Sequence, residues 1–164
     1  MAAFGQRMLF TDRIGRTRQR AGELLVAWVG EVPVGDVYLW CEPLEEPELR
    51  ARFPGVPLLN HLEVGAAWRG RGVGTALVRA VERAAARRGH RQLLLGVAPG
   101  NARAKGLYGR LGYVDWGGGP IVSRWTEPDG RGGIREASMT IDIMVTSLDP
   151  APAQAGGADA GVDG

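Results

Sequence analysis

Cysteine and lysine each occur once, as Cys41 and Lys105, in a chain of 164 residues. A single cysteine cannot close an internal disulfide. No apolar run approaches the ~18 residues that a membrane-spanning helix needs. The N-terminal stretch MAAFGQRMLFTDRIGR has neither a continuous apolar core nor a small-residue cleavage pattern, so no secretory leader is read. These shortages point to a cytoplasmic protein without a membrane partner. Apolar content is not short: at 45% hydrophobic the chain can bury a core, which excludes wholesale disorder. There is no internal repeat. One domain over residues 1–148 is expected. The remainder, 149–164, is alanine, glycine, aspartate and proline with almost no large apolar side chain, and is expected to be disordered.

Acids are scarce in one place. Residues 61–112 hold nine arginines and Lys105 against only Glu63 and Glu82, a net of +8. Residues 1–60 hold seven arginines against eight acids, a net of −1, and residues 113–164 hold three against eight, a net of −5. A preference for arginine over lysine explains the identity of the cations but not the missing acids. The middle third is the part that attracts anions.

The apolar pattern supplies the elements. Residues 6–21 read as a weak helix. ELLVAWV (23–29) and VGDVYLW (34–40) flank the turn signal GEVPVG and read as a β-hairpin. An acidic, proline-punctuated connection, 42–57, has room for a helical turn or two. LLNHLEV (58–64) is the next strand. Leu77, Val81, Ala84 and Ala85 then repeat at i, i+4, i+7 and i+8 with arginines opposite, a helix over about 75–88 that stops at Gly89. RQLLLGV (91–97) has the near-continuous apolar character of a strand buried on both faces. Asn101 is a helix N-cap, and Gly112 ends the helix that follows. YVDW, PIVSRW and REASMTIDIMV are further strands, the last two joined by TEPDGRGG. Strand, glycine-rich turn, helix and strand favour a parallel pair with a right-handed crossover.

The turn RGRGVGT (69–75) is the feature with chemistry in it. A Walker P-loop needs a lysine that is absent here, and a dinucleotide fingerprint needs a third glycine where Thr75 stands. What remains is another phosphate cradle, in which backbone N–H groups converge on an anion at a helix N-terminus.

Around that turn, VGAAWRGRGVGTAL resembles the acyl-CoA motif of the GNAT superfamily of N-acetyltransferases, with Arg69, Gly72 and Gly74 on its arginine-x-x-glycine-x-glycine positions. LLLGVAPGNARAKGLYGRLGY resembles the family's second signature through Asn101, Ala104, Tyr108, Leu111, Gly112 and Tyr113. The resemblance is close over 58–115 and looser over 23–147. It implies an α/β (α+β) fold: a single domain with helices on both faces of a mixed sheet, splayed between the strands near 58–64 and 91–97. It implies acetyl-CoA as co-substrate. The backbone of Gly70, Arg71, Gly72, Val73, Gly74 and Thr75, with Arg69, would hold its pyrophosphate. Val64, Gly65 and Ala66 would pair with the pantetheine arm, which Asn101 also touches, and the amide at Val64 would polarise the thioester carbonyl. Relatives carry more chain before the hairpin, so the first strand and first helix are expected to be absent. That leaves the site open on that side, or covered by the second subunit of a homodimer.

Acetyl transfer to an amine needs a neutral nucleophile, and at a pKa of ~10.4 about one amine in a thousand is neutral near pH 7.4. It also needs a proton for the leaving thiolate. The resemblance offers Tyr108 as that donor, although its place on an apolar helix face fits packing as well. For the base, His61 and Glu63 share one face of a regular strand, while Leu58, Asn60, Leu62 and Val64 take the other. Either a strand bulge re-aims one of the two, or Asn60 holds a water chain to solvent. Cys41 reads as packing. Trp40, Trp68, Trp116 and Trp125 read as acceptor-pocket walls or as packing. Glu42, Glu45, Glu46 and Glu48 read as a solvated loop or as a lure for a cationic amine. No metal site is expected. Three functions follow: an N-acetyltransferase acting on a small-molecule or protein amine, a non-catalytic acyl-CoA-binding module, or an arginine-rich nucleic-acid binder. The last is disfavoured because no aromatic stacking platform is interleaved with the arginines.

Overall fold

The computed structural model describes residues 21–150. The expected helix over 6–21, the question of a missing first strand and nearly all of the expected tail lie outside those residues. The elements are β1 (Gly22–Val29), β2 (Val32–Trp40), α1 (Pro47–Arg52), β3 (Leu58–Val64), α2 (Val73–Arg87), β4 (Gln92–Val97), α3 (Ala102–Arg110), β5 (Val114–Asp115), β6 (Ile121–Pro128) and β7 (Ile134–Ser147). A short 3-10 turn, Ala66–Trp68, leads from β3 into the glycine loop. No helix among the described residues is long and apolar enough to cross a membrane.

The strands form a mixed sheet in the order β1-β2-β3-β4-β7-β5, with β6 on the first half of β7. β1 and β2 make the expected hairpin. Its turn is shorter than the sequence suggests, because Gly30 takes φ 58° and the chain reverses at once. Pro33 falls where the ladder slips, between Ala27 and Trp28, so its missing N–H disrupts no regular bond. The central pair, β3 and β4, is parallel but in register only at Leu58–Leu94 and Leu59–Leu95. Beyond those residues the two strands part.

One face of the sheet is covered by α2 and α3. Leu77, Val78, Val81, Ala84 and Ala85 of α2 are buried against Val37, Leu39, Leu59, Leu93 and Leu95. At roughly 1.5–3 kcal/mol for each fully buried large apolar side chain, this layer dominates the local stability. The other face is smaller: Leu44, Leu49 and Phe53, around α1, pack on Leu94, Ile121 and Ile143. The helix read as 75–88 begins two residues earlier, at Val73. The reversal is completed by Gly72 at φ 84°, and Val73 and Gly74 already take the first turn.

Candidate active site

β3 is where the regular-strand reading fails. Opposite β2, Asp36 pairs with Glu63 but Tyr38 pairs with Asn60, so β3 carries one extra residue. The irregularity lies at His61, whose φ of 54° is the only positive value among described non-glycine residues. Histidine is one of the side chains that tolerate this region, at a cost on the order of 1 kcal/mol. The bulge reverses the alternation. Leu58, Asn60 and Glu63 now share the face of Asp36 and Tyr38, whereas a regular strand would separate Glu63 from Asn60. Of the two routes to a base read from sequence, a strand bulge and a water chain at Asn60, the structure contains the bulge.

The bulge gathers three groups. His61 Nε2 lies 3.2 Å from Glu63 Oε2. One oxygen of the buried Asp36 completes a set whose atoms all lie within 4.8 Å of one another. Asp36 was not singled out from sequence. Its signal was a carboxylate inside the apolar run VGDVYLW, next to a glycine.

Past the bulge, Gly65 donates its N–H to Val34 C=O at 2.9 Å. An antiparallel ladder alternates, so the N–H and C=O of Val64 turn away from β2, toward the gap beside β4. Arg69 Nε donates to that carbonyl at 3.0 Å and clasps the glycine loop to the strand. Thus Arg69 and Gly65 already have backbone partners, while the Val64 N–H faces the opening. Ala66 begins the 3-10 turn and accepts from the Arg69 N–H. Arg71 stacks on Trp68, its guanidinium 5.2 Å from the ring centre.

At the start of α2, the first intrahelical bond runs from Ala76 N–H to Gly72 C=O at 3.0 Å. The N–H groups of Val73, Gly74 and Thr75 precede it and have no acceptor within the helix. No acidic side chain stands in the first turn and no side chain caps it. A methyl group built on Gly70 or Gly72 would meet nothing within 4 Å, so the outer side of the loop is open, whereas one on Gly74 would touch Leu107 and Val64. Free amides, a helix dipole and an arginine beside them suit a diphosphate.

α3 supplies the opposite wall. Asn101 caps it by accepting from Ala104 N–H at 3.1 Å. Tyr108 is buried, tilted against Tyr113 with ring centres 5.8 Å apart. Burial lifts its phenol above the ordinary value of 10. Its hydroxyl has no hydrogen-bond partner among the described residues, and the residue lines a cavity of about 550 Å³. That cavity passes through the sheet where β3 and β4 part. On the α3 side its walls include Tyr108, Leu107, Ala104 and Asn101. Asn60, His61 and Val97 line the passage, and Trp40, Glu46, Ser123 and Trp125 line the far side.

The other candidates resolve individually. Cys41 is held beside Arg88, its Sγ 3.6 Å from the guanidinium, and burial pushes its thiol up, away from the reactive thiolate. Trp116 packs on Phe53, with ring centres 6.1 Å apart. Trp40 and Trp125 are the two tryptophans that reach the cavity, and Glu45 and Glu46 are the acids of the 42–57 connection that do so. Ser123 was missed, although the alternation in PIVSRW places it on one face with Ile121 and Trp125.

A family profile described as the acetyltransferase (GNAT) family matches residues 3–113. The chain belongs to the GNAT acetyltransferase family. No curated protein matches it significantly in sequence. Solved GNAT structures share its fold. A ribosomal-protein-alanine N-acetyltransferase from Brucella melitensis is 21% identical, with a TM-score of 0.59 over 88% of this chain and 78% of that one. A PaiA N-acetyltransferase from Thermoplasma acidophilum in complex with coenzyme A is 15% identical, with a TM-score of 0.60 over 85% and 69%. A GNAT acetyltransferase from Elizabethkingia anophelis with acetyl-CoA bound is 16% identical, with a TM-score of 0.56 over 86% and 82%. The splayed mixed sheet expected from the sequence is therefore the fold of this GNAT chain.

Proposed function

We propose that this GNAT protein transfers an acetyl group from acetyl-CoA to an amine, by direct attack of the amine on the thioester. The observation that carries the reading is the cavity through the sheet, which Tyr108 and His61 both line, in the gap toward which the ladder turns the Val64 amide. Acetyl-CoA supplies an activated acyl group. The amides of Val73, Gly74 and Thr75, with Arg71, hold its diphosphate. The edge of β3 past the bulge, at Val64, offers the pantetheine arm strand-like hydrogen bonds, and Asn101 lines its path.

The amine enters from the opposite side of the passage. His61, backed by Glu63, takes its proton, which makes the nitrogen a nucleophile. The Val64 N–H stabilises the oxygen on which charge develops. The C–S bond breaks as the N–C bond forms; Tyr108 gives its proton to the departing sulfur and is reprotonated by the second proton that the nitrogen loses on becoming an amide. The His61–Glu63 pair is what favours this reading over a non-catalytic acyl-CoA-binding module, because such a module needs no base.

The test is release of free thiol from acetyl-CoA across a panel of amines. Amine-dependent release that His61→Gln abolishes is expected. Binding of acetyl-CoA with no release toward any amine would leave only the binding module.

A further inference from the structure

The cavity has a charge pattern that the chemistry above does not use. The chain carries nineteen arginines and one lysine, yet none of the cations among the described residues lines the cavity. Its charged walls are Glu45 and Glu46, on the face of the sheet away from Tyr108. Glu46 is the N-cap residue of α1 but makes no capping bond. Its carboxylate turns instead to β6, where Oε1 accepts from Ser123 Oγ at 2.7 Å across 77 residues of sequence. No cation among the described residues forms an ion pair with either acid. Trp40, Trp125 and Met139 line the same cavity. Carboxylates without a paired cation, in a cavity that two indoles also line, form a site for a cation.

That cation is not the reacting nitrogen. A carboxylate in direct contact with the nucleophile would raise its pKa and reduce the small neutral fraction further; at the reacting end it is His61, and not Glu63 behind it, that lines the cavity. The acids stand on the other side of the passage from the thiolate donor, where a charge that is never lost would rest. We infer, building on the acetyltransferase reading, that the acceptor is a small aliphatic amine carrying a second positive charge. Its distal ammonium is held by Glu45 and Glu46 between Trp40 and Trp125, while its reacting amine lies at His61. The thioester C–S bond breaks and the N–C bond forms at the proximal nitrogen, which loses two protons: one leaves through His61 to solvent, and the other replaces the proton that Tyr108 gives to the sulfur; the distal ammonium keeps its charge throughout. A cavity of about 550 Å³ that must also hold the thioester arm suits a small molecule rather than a folded chain.

The experiment measures thiol release, as kcat/KM, for four acceptors: a five-carbon diamine, the alkylamine of the same length, the ω-amino acid of the same length, and a short uncharged peptide with a free N-terminus. The diamine should exceed the alkylamine by about tenfold or more, as expected for charge-assisted contacts at a partly buried site, and the ω-amino acid should be the poorest. Glu46→Gln and Glu45→Gln should bring the diamine-to-alkylamine ratio toward one. Glu46→Arg should move the preference toward the ω-amino acid. Thermal stabilisation by acetyl-CoA should persist in all three variants, showing that they are folded and bind the donor. Equal use of diamine and alkylamine by the wild type, preference for the peptide, or an unchanged ratio in both glutamine variants would each overturn the acceptor assignment and leave the transferase reading standing. Stabilisation by acetyl-CoA with no thiol release from any acceptor would overturn both.

Discussion

Tyr108→Phe removes one oxygen atom from the wall of the cavity. The ring remains in the layer formed by α2, α3 and the sheet, 5.8 Å from Tyr113. Because the hydroxyl has no hydrogen-bond partner among the described residues, its loss leaves no orphaned group behind. The stability change should stay below the ~1 kcal/mol typical of a broken internal hydrogen bond. The chemical loss should be far larger. A positioned general acid contributes about 10²–10⁴-fold, which is roughly 3–5 kcal/mol of barrier at 1.36 kcal/mol per decade. Water in the cavity can replace part of that, so a fall in kcat of at least about tenfold is expected, with acetyl-CoA binding nearly unchanged. Burial raises the phenol above its ordinary value of 10, so it stays protonated through the neutral range and its alkaline limb lies above pH 10. The variant should lack that limb. Initial rates of thiol release from pH 7 to 11, with a thermal unfolding curve beside them, measure all three quantities. A variant that keeps wild-type kcat and the wild-type alkaline limb refutes the assignment. Tyr108 would then be a packing residue, and the protein would act by holding the two substrates together.

Gly72 has φ 84°, a conformation that aspartate and asparagine tolerate. Gly72→Asp should fold but lose the acetyl-CoA stabilisation, about 2.7 kcal/mol at a hundred times the dissociation constant, while Gly72→Asn should retain part of it; equal retention in both would remove the loop from the diphosphate site. His61→Gln should lower kcat by about 10² or more and Glu63→Gln by less, since only His61 lines the passage; the reverse order in single-turnover rates would make Glu63 the base. Burial, reinforced by Glu82, raises the Tyr113 phenol strongly. Its stabilising contribution is therefore complete below pH 10 and is lost as pH rises beyond, where the unfolded chain ionises first; Tyr113→Phe should flatten the fall in melting temperature above pH 10. Leu94→Ala, fully buried under α1, should cost about 2–5 kcal/mol in urea unfolding.

Much of the frame was legible because it rests on local rules. Val78 and Val81 lie on the same stripe as Leu77, and a period of 3.6 buries them whatever the neighbours are. The LLL run of β4 could only be a strand covered on both faces. Asn101 and Gly112 bound their helix by capping chemistry that needs four or five residues to specify. The uncapped start of α2 belongs with these, because a glycine at positive φ before a helix and no acid in its first turn are local features of RGRGVGT. His61 is different. LLNHLEV reads as an unbroken strand, and no residue in it demands an extra position. The bulge exists because β3 must match β2 on one side while leaving β4 on the other, a condition set by strands far away in sequence. It alone decides that Glu63 shares a face with Asn60 and Asp36, and that the Val64 amide looks into the gap. The pairing of Glu46 with Ser123 likewise spans 77 residues and depends on β6 folding back along β7 over the cavity. Sequence by itself determined which of the described elements form and where a helix start leaves its amides without intrahelical acceptors, since those depend on near neighbours along the chain. The His61–Glu63 pair, the passage through the sheet and the acidic lining at Glu45 and Glu46 were decided by tertiary structure, because each is made by side chains that only the packed sheet brings together.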